Sequence, residues 1–251
     1  MTTTRPMSIA LTAVACAWSS VASAAPGGAV VGRVTFEGPP PVMPALEGTG
    51  RDPACAEAGS HRAEHVVVKD GGVRDVVVRL AVGSIPSPPR KNLPTVVVDQ
   101  KGCRYTPPVV AITAGQKIAY RNSDATMHNV HTFHGGETDF NIAQPQGAAD
   151  AVYEVPTPAG DEPYRVRCDV HPWMSATVLV TDHTHHTITR DDGTFRLENV
   201  PPGSYKLQAW HPHLGTRTID VKVHPGKAAQ ARFPAFAAAD YKAPELTQGS
   251  R

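Results

Sequence analysis

The chain has 251 residues, 41% of them hydrophobic and 19% charged, with a formal net charge of +1. That length suits one large domain or two small ones, and a near-neutral charge without a basic stripe excludes nucleic acid and anionic membrane surfaces as partners. Pro (24) and Gly (21) are frequent and no apolar helical periodicity is sustained, so an all-β chain of short strands joined by turns is predicted.

Arg5 precedes an apolar run, Ile9 to Trp18, and Ala22-Ser23-Ala24 then presents the small-x-small pattern cut by a signal peptidase. Residues 1–24 read as a removed signal peptide, which places the mature chain in the periplasm or outside the cell. Ala13-Val14-Ala15-Cys16 is a weaker match to a lipoprotein cleavage site, because the usual Leu is missing. No other segment is apolar for long enough to cross a bilayer as a helix. Arg5 is the only charge in the signal, so the mature chain carries none in net. Cys16 leaves with it, and Cys55, Cys103 and Cys168 remain, an odd set for an oxidising compartment.

The mature chain opens with a strand, Val30 to Phe36, with Val34 and Phe36 on one face. After the loop that holds Cys55, His65–Val68 and Val73–Leu80 bracket Asp70-Gly71-Gly72, a hairpin signal. Ser84 to Pro94 reads as a linker. A second block follows, with strands at Thr95–Asp99, Val109–Thr113, Lys117–Asn122, Met127–Phe133, Tyr153–Val155, Tyr164–Cys168 and Ala176–Thr181, a spacing that suits a Greek-key sandwich. The one helical candidate lies near Gly147–Val152. A third block has strands at Thr187–Arg190, Thr194–Leu197, Ser204–Trp210 and Thr216–Val223, with turns at Asp191-Asp192-Gly193 and Val200-Pro201-Pro202-Gly203. The tail beyond Phe236 reads as loose.

Chemistry concentrates in Cys168-Asp169-Val170-His171-Pro172-Trp173-Met174, which places a thiolate, an imidazole and a thioether in one loop. His128-Asn129-Val130 lies upstream on another strand. Two imidazoles, a thiolate and a weak axial thioether are the ligand set of a mononuclear type 1 copper centre, in which thiolate and thioether suit Cu(I) and imidazole suits both oxidation states. Alternation supports the choice. Tyr164, Val166 and Cys168 share one face of their strand, and His128 and Val130 point opposite to Asn129 and His131. His128 therefore ranks above His131 as a ligand.

The His-Asn pair followed by Cys-x-x-His-x-x-Met resembles the cupredoxins, the type 1 copper domains of the amicyanin and plastocyanin kind, over Thr95 to Thr181. The resemblance implies His128, Cys168, His171 and Met174 as the copper ligands and Asn129 as a hydrogen-bonding brace of the ligand loop. It also implies that His171 lies near the surface within an apolar patch, including Pro172 and Trp173, where electrons leave. With Cys168 assigned to copper, Cys55 is expected to pair with Cys103.

Thr189 to Leu197 and Val200 to Leu207 resemble the carboxypeptidase regulatory-like domain, a small transthyretin-like sandwich. Gly32-Arg33-Val34 and Val76-Val77-Val78 match the opening strands of such a domain, far upstream. The expected layout is a signal peptide at 1–24, a β segment at 29–92, a cupredoxin-like domain at 93–182, a regulatory-like β segment at 183–236 and a tail at 237–251. The first and last β segments would form one sandwich split by the copper domain.

The remaining candidates carry blander readings. His183, His185 and His186 read as solvated linker, His211 and His213 as strand-end surface residues, and Asp191 and Asp192 as turn residues. No Gly-x-Ser-x-Gly elbow, phosphate loop, zinc-protease helix or Cys-x-x-Cys-His is present. An electron carrier rather than an enzyme is expected, served by a redox partner such as a cytochrome or a dehydrogenase. The alternatives are copper storage or delivery, with the His tract as an extra weak site, and a structural module whose copper site is vestigial.

Overall fold

The computed structural model describes residues 26–57, 62–85, 92–155 and 162–244. The segment expected to be a signal peptide, residues 86–91 of the expected linker and the chain from residue 245 lie outside them. No described helix is long and apolar enough to cross a membrane.

The fold is all-β, built as two packed sandwiches. The first joins a five-stranded sheet to a four-stranded one. In spatial order the larger sheet runs Glu137–Gln144, His128–His134, Tyr164–Arg167, Ser175–Thr181, Val109–Thr113. The smaller runs Ala151–Glu154, Lys117–Asn122, Val96–Gln100, Tyr105–Thr106. Val109–Thr113 lies parallel to Ser175–Thr181, and Val96–Gln100 parallel to Lys117–Asn122, so the chain crosses between sheets instead of running as simple hairpins. The inward faces interlock around Val98, Ile112, Ile118, Tyr120, Val130, Val166 and Val178.

The second sandwich draws on both ends of the chain. Gly28–Arg33 pairs antiparallel with Thr194–Val200 and parallel with Ala228–Ala231. Val77–Leu80 pairs with His186–Ile188 on one side and Gly203–His211 on the other, and Gly203–His211 pairs in turn with Gly215–Val223. Val34, Phe36, Val76, Val78, Leu80, Phe195, Leu197, Leu207 and Phe236 fill its core. Two glycines bring the halves together. A Cβ on Gly72 would stand 1.8 Å from the Asp192 carbonyl oxygen, and Gly193 takes φ +78° with Gly72 Cα 2.8 Å from where its own Cβ would be. Only residues without side chains allow these two turns to lie backbone against backbone.

Val77–Leu80 is buried along its whole length. Val78 and Leu80 face the second core, while Val77 faces the other way and meets Val109 and Leu179 of the first sandwich. Trp210, Ile188 and Ala111 complete this apolar seam. A strand covered on both faces reads as a continuous hydrophobic run rather than an alternating one, as Val76 to Val78 does.

Two expectations are corrected. Gly147–Val152 contains no helix: Ala151–Glu154 is a strand paired with Lys117–Tyr120, because Ala151 and Val155 are needed in the core. The start of the tail is anchored, since Asp240 Oδ2 accepts from Arg217 Nη2 (2.5 Å) and the Lys242 amide donates to the His213 carbonyl (2.8 Å). The strand Glu137–Gln144 has no counterpart in the sequence reading. It lies at a sheet edge and is largely exposed, so it shows little of the alternation that marks a half-buried strand.

Candidate metal centre

His128 opens its strand and Cys168 follows the end of Tyr164–Arg167, the neighbouring strand. Antiparallel pairing of the two places both side chains at one end of the sheet. The alternation holds: His128 and Val130 are fully buried, as are Tyr164, Val166 and Cys168, whereas His131 is only half-buried. The loop after Cys168 turns back at once, because the Met174 amide donates to the His171 carbonyl (2.9 Å) and the Cys168 amide to the Met174 carbonyl (3.2 Å). His171 is carried inward by that turn, to 3% exposure, and Met174 is buried in the same core cluster as Cys168.

Three donor atoms converge. His128 Nδ1 and His171 Nδ1 lie 2.9 Å apart, Cys168 Sγ lies 3.9 Å from His171 Nδ1, and one donor atom from each of the three residues falls within 4.8 Å of the others. The amides of Asn129 and His171 both donate to Cys168 Sγ, each at 3.4 Å. Two N–H groups thus point at one sulfur, and a thiolate is the form of cysteine that binds metal. The far nitrogens of both imidazoles meet carboxylates: His128 Nε2 donates to Asp124 Oδ2 (2.9 Å) and His171 Nε2 to Asp52 Oδ2 (3.2 Å). An ionised carboxylate only accepts, so each Nε2 carries the proton and each Nδ1 presents a lone pair to the centre. Two lone pairs facing each other 2.9 Å apart repel unless a cation or proton lies between them. The donor set fits a soft, imidazole-tolerant metal.

The electrostatics follow the contacts. Burial holds His128 below the usual imidazole value, against the pull of Asp124. The hydrogen bond from Thr126, helped by the Ala54 amide and His171, outweighs burial and holds Asp52 below the usual carboxylate range. At Asp169 burial works against ionisation, but His131 and Asn129 outweigh it and lower the value. Burial raises the Tyr105 phenol, whose hydroxyl donates to the carbonyls of Asn129 (2.6 Å) and Arg167 (3.1 Å) and so ties together the strand ends that carry His128 and Cys168.

The structure brings together His128, Cys168, His171 and Asn129, buries Met174 in the same core cluster as Cys168, and joins Cys55 to Cys103 in a disulfide, with Cα atoms 5.5 Å apart. It corrects the position of His171. That ring is not at the surface, because the segment around Asp52 lies over its outer nitrogen. Pro172 is exposed, but Trp173 is half-buried: its Nε1 donates to the Cys103 carbonyl (3.2 Å) and its ring centroid is 5.0 Å from that of His171. The apolar patch expected around His171 is thus partly covered by the chain itself.

Sequence reasoning missed Asp52, Asp124, Tyr105 and Thr126. The only local signal was the turn Asn122-Ser123-Asp124, where the Asp124 amide donates to Asn122 Oδ1 (3.0 Å) just ahead of His128. The other histidines are also corrected. His183 is fully buried with Nε2 3.2 Å from the Leu80 carbonyl, and His186 Nε2 meets Thr113 Oγ1 at 3.3 Å, so these are interior groups and not solvated linker. His211 is buried, and its Nδ1 accepts from the His213 amide (3.1 Å), because the Gly203–His211 strand ends beneath the first sandwich and not at the surface. Asp192 is a turn residue, its Oδ1 accepting from the Thr194 amide (2.9 Å) and hydroxyl (2.6 Å).

The family model of the carboxypeptidase regulatory-like domain matches residues 169–235. The match starts ahead of Ser175–Thr181, a strand that pairs within the site-bearing sheet, and runs through the C-terminal strands of the second sandwich as far as Ala228–Ala231, without Gly28–Arg33 and Val77–Leu80. No curated protein matches the chain. The chain is similar to solved amicyanin structures. One is a reduced Cu(I) form of a proline-to-glycine mutant, 26% identical, with 36% of this chain and 84% of that one covered at a TM-score of 0.30. A second is the oxidised state of a proline-to-alanine mutant, 29% identical, covering 34% and 81% at 0.30. A third is amicyanin from Paracoccus versutus, 24% identical, covering 41% and 96% at 0.30.

Proposed function

We propose that this chain holds one copper ion with His128, Cys168, His171 and Met174 and passes single electrons between redox partner proteins, without catalysing a reaction of its own. The observation that carries the reading is the convergence of two imidazole Nδ1 atoms and a buried thiol sulfur within 4.8 Å, at one end of a rigid sandwich. Bound there, copper supplies a one-electron Cu(II)/Cu(I) couple. The protein's own groups do the rest. Cys168 Sγ accepts two amide N–H groups, and Tyr105 and Asn129 hold the strand ends and the loop in one geometry. A framework that does not move between oxidation states keeps reorganisation small. Burial of all four side chains excludes water from the donors.

In this reading residues 93–182 form the copper domain, inserted between two β segments, 29–92 and 183–236, that close into one regulatory-like sandwich. The pairing of Gly28–Arg33 with Thr194–Val200, and of Val77–Leu80 with Gly203–His211, supports the insertion. Removal of residues 1–24 delivers the protein to the periplasm or the exterior, where a cytochrome or a dehydrogenase is the class of partner that exchanges single electrons with such a site. Storage or delivery draws less support, because His183 and His186 of the tract are engaged in interior hydrogen bonds.

The test is a copper titration of the mature protein, read by visible absorption and electron paramagnetic resonance beside Cys168→Ser. An intense thiolate-to-Cu(II) band with narrow hyperfine splitting, absent from the variant, is expected. Absence of that band from the wild-type protein overturns the reading.

A further inference from the structure

The two carboxylates that receive the ligand histidines' Nε2–H groups come from separate parts of the chain, and one covalent bond connects them. Asp52 caps the short helix Pro53–Ala56, its Oδ1 accepting from the Ala54 amide (2.9 Å). Its other oxygen, Oδ2, accepts from Thr126 Oγ1 (2.6 Å) and from His171 Nε2 (3.2 Å). Cys55 lies in that helix and is bonded to Cys103. On the far side of the bond, the amides of Gly102 and Cys103 donate to Asp124 Oδ1 (2.7 Å) and Oδ2 (2.8 Å), and Asp124 Oδ2 accepts from His128 Nε2. Thr126 closes the circuit, because it stands between Asp124 and His128 in the chain and donates to Asp52.

The cap alone does not account for this arrangement. Capping a helix of this length occupies one carboxylate oxygen, and serine caps as well as aspartate. The second oxygen of Asp52 points at the ligand, and Asp124 repeats the same relation to the other ligand with no helix to cap. A neutral imidazole has two tautomers, and only the one protonated at Nε2 leaves Nδ1 free to bind metal. A carboxylate at Nε2 selects that tautomer, fixes the ring plane and raises the ring's basicity.

We propose that Asp52 and Asp124 are paired positioning residues, linked through Cys55–Cys103, that hold both ligand imidazoles in the Nδ1-presenting tautomer and bias the site toward Cu(II). The inference rests on the copper reading for the sense of that bias. The positioning itself is a property of the metal-free chain. By lying over His171, the Asp52 segment also keeps solvent from the ring's outer nitrogen.

The experiment uses the mature protein with Asp52→Ser, which keeps the helix cap but is too short to reach His171, and Asp52→Asn, which keeps an acceptor but removes the charge. Long-range proton–nitrogen NMR of the metal-free protein reads the His171 tautomer. We expect Nε2 protonation in the wild type and a tautomer mixture in Asp52→Ser. In copper-loaded protein, a chelator competition is expected to show Asp52→Ser weakening Cu(II) binding by about 10–100-fold. Both variants are expected to raise the reduction potential, and Asp52→Asn to retain the greater part of the affinity. A folded Asp52→Ser with unchanged tautomer and unchanged affinity overturns the proposal. If Asp52→Ser does not fold, Asp52→Asn decides: an unshifted potential overturns the bias. A wild-type protein without the thiolate band defeats the copper reading, and with it the bias, while the tautomer measurement still judges the positioning.

Discussion

Asn129 and Asp169 are joined by two hydrogen bonds across the mouth of the site: the Asp169 amide donates to Asn129 Oδ1 (2.5 Å), and Asn129 Nδ2 donates to Asp169 Oδ2 (3.1 Å). One side chain thus holds the residue after Cys168 by both backbone and carboxylate, and it does so from the residue after His128. Asn129→Ala leaves the part-buried Asp169 amide without its side-chain partner. The expected loss is about 0.5–1.5 kcal/mol of unfolding free energy, measured by urea denaturation of the metal-free protein. The hyperfine pattern of the copper-loaded variant is expected to broaden as the loop loosens.

Trp173 contacts both the His171 ring and the Cys103 carbonyl, which makes it the residue on which the proposed electron exit is tested. Trp173→Ala is expected to keep the thiolate band while slowing electron self-exchange, read from NMR line broadening in mixed oxidation states. An unchanged rate assigns the exit elsewhere.

Cys55→Ala with Cys103→Ala removes a cross-link between residues 48 positions apart. The expected cost is about 2–4 kcal/mol of unfolding free energy, largely through the unfolded chain. Equilibrium denaturation with and without reductant checks it, and reductant should alter the wild type but not the double variant.

Gly72→Ala places a methyl group 1.8 Å from the Asp192 carbonyl oxygen, an atom that cannot swing aside. The expected destabilisation is about 2–4 kcal/mol, seen as a lower thermal midpoint. Gly71→Ala beside it meets no neighbouring atom, so its smaller cost reports only the positive φ of +76°.

Burial pushes the imidazoles of His186 and His211 down to about 4 and about 3. In the unfolded chain each takes up its proton near 6.5, so between that value and the folded one the unfolded state binds more protons. The stability these groups contribute is complete above about pH 6.5 and falls as pH drops toward 3–4. The urea midpoint of the metal-free protein is expected to decline across that window, and His211→Gln, which stays neutral, is expected to flatten the decline.

The candidate donor types, their order and the inward faces of their strands were legible from residues alone, because alternation along a strand and side-chain chemistry are both local properties. Tyr164, Val166 and Cys168 could be assigned to one face without knowing what lay opposite. The pairing of Cys55 with Cys103 followed once Cys168 was set aside, since an oxidising compartment leaves few alternatives. The exposed strand Glu137–Gln144 was not legible, because its side chains bury too little to leave a pattern.

What only the tertiary structure decided is what covers the site. Asp52 is 119 residues from His171, and no local rule relates two positions so distant. Their contact exists because a disulfide, a helix cap and a threonine hydroxyl each fix one part of the same segment. The burial of His183 and His211 has the same origin, since two sandwiches share an apolar seam and histidines near it lose solvent from both sides. Sequence by itself determined which side chains are able to bind a metal. Packing determined which nitrogen of each imidazole faces it and how much water reaches it, because tautomer and solvation depend on partners that meet only when the chain has closed.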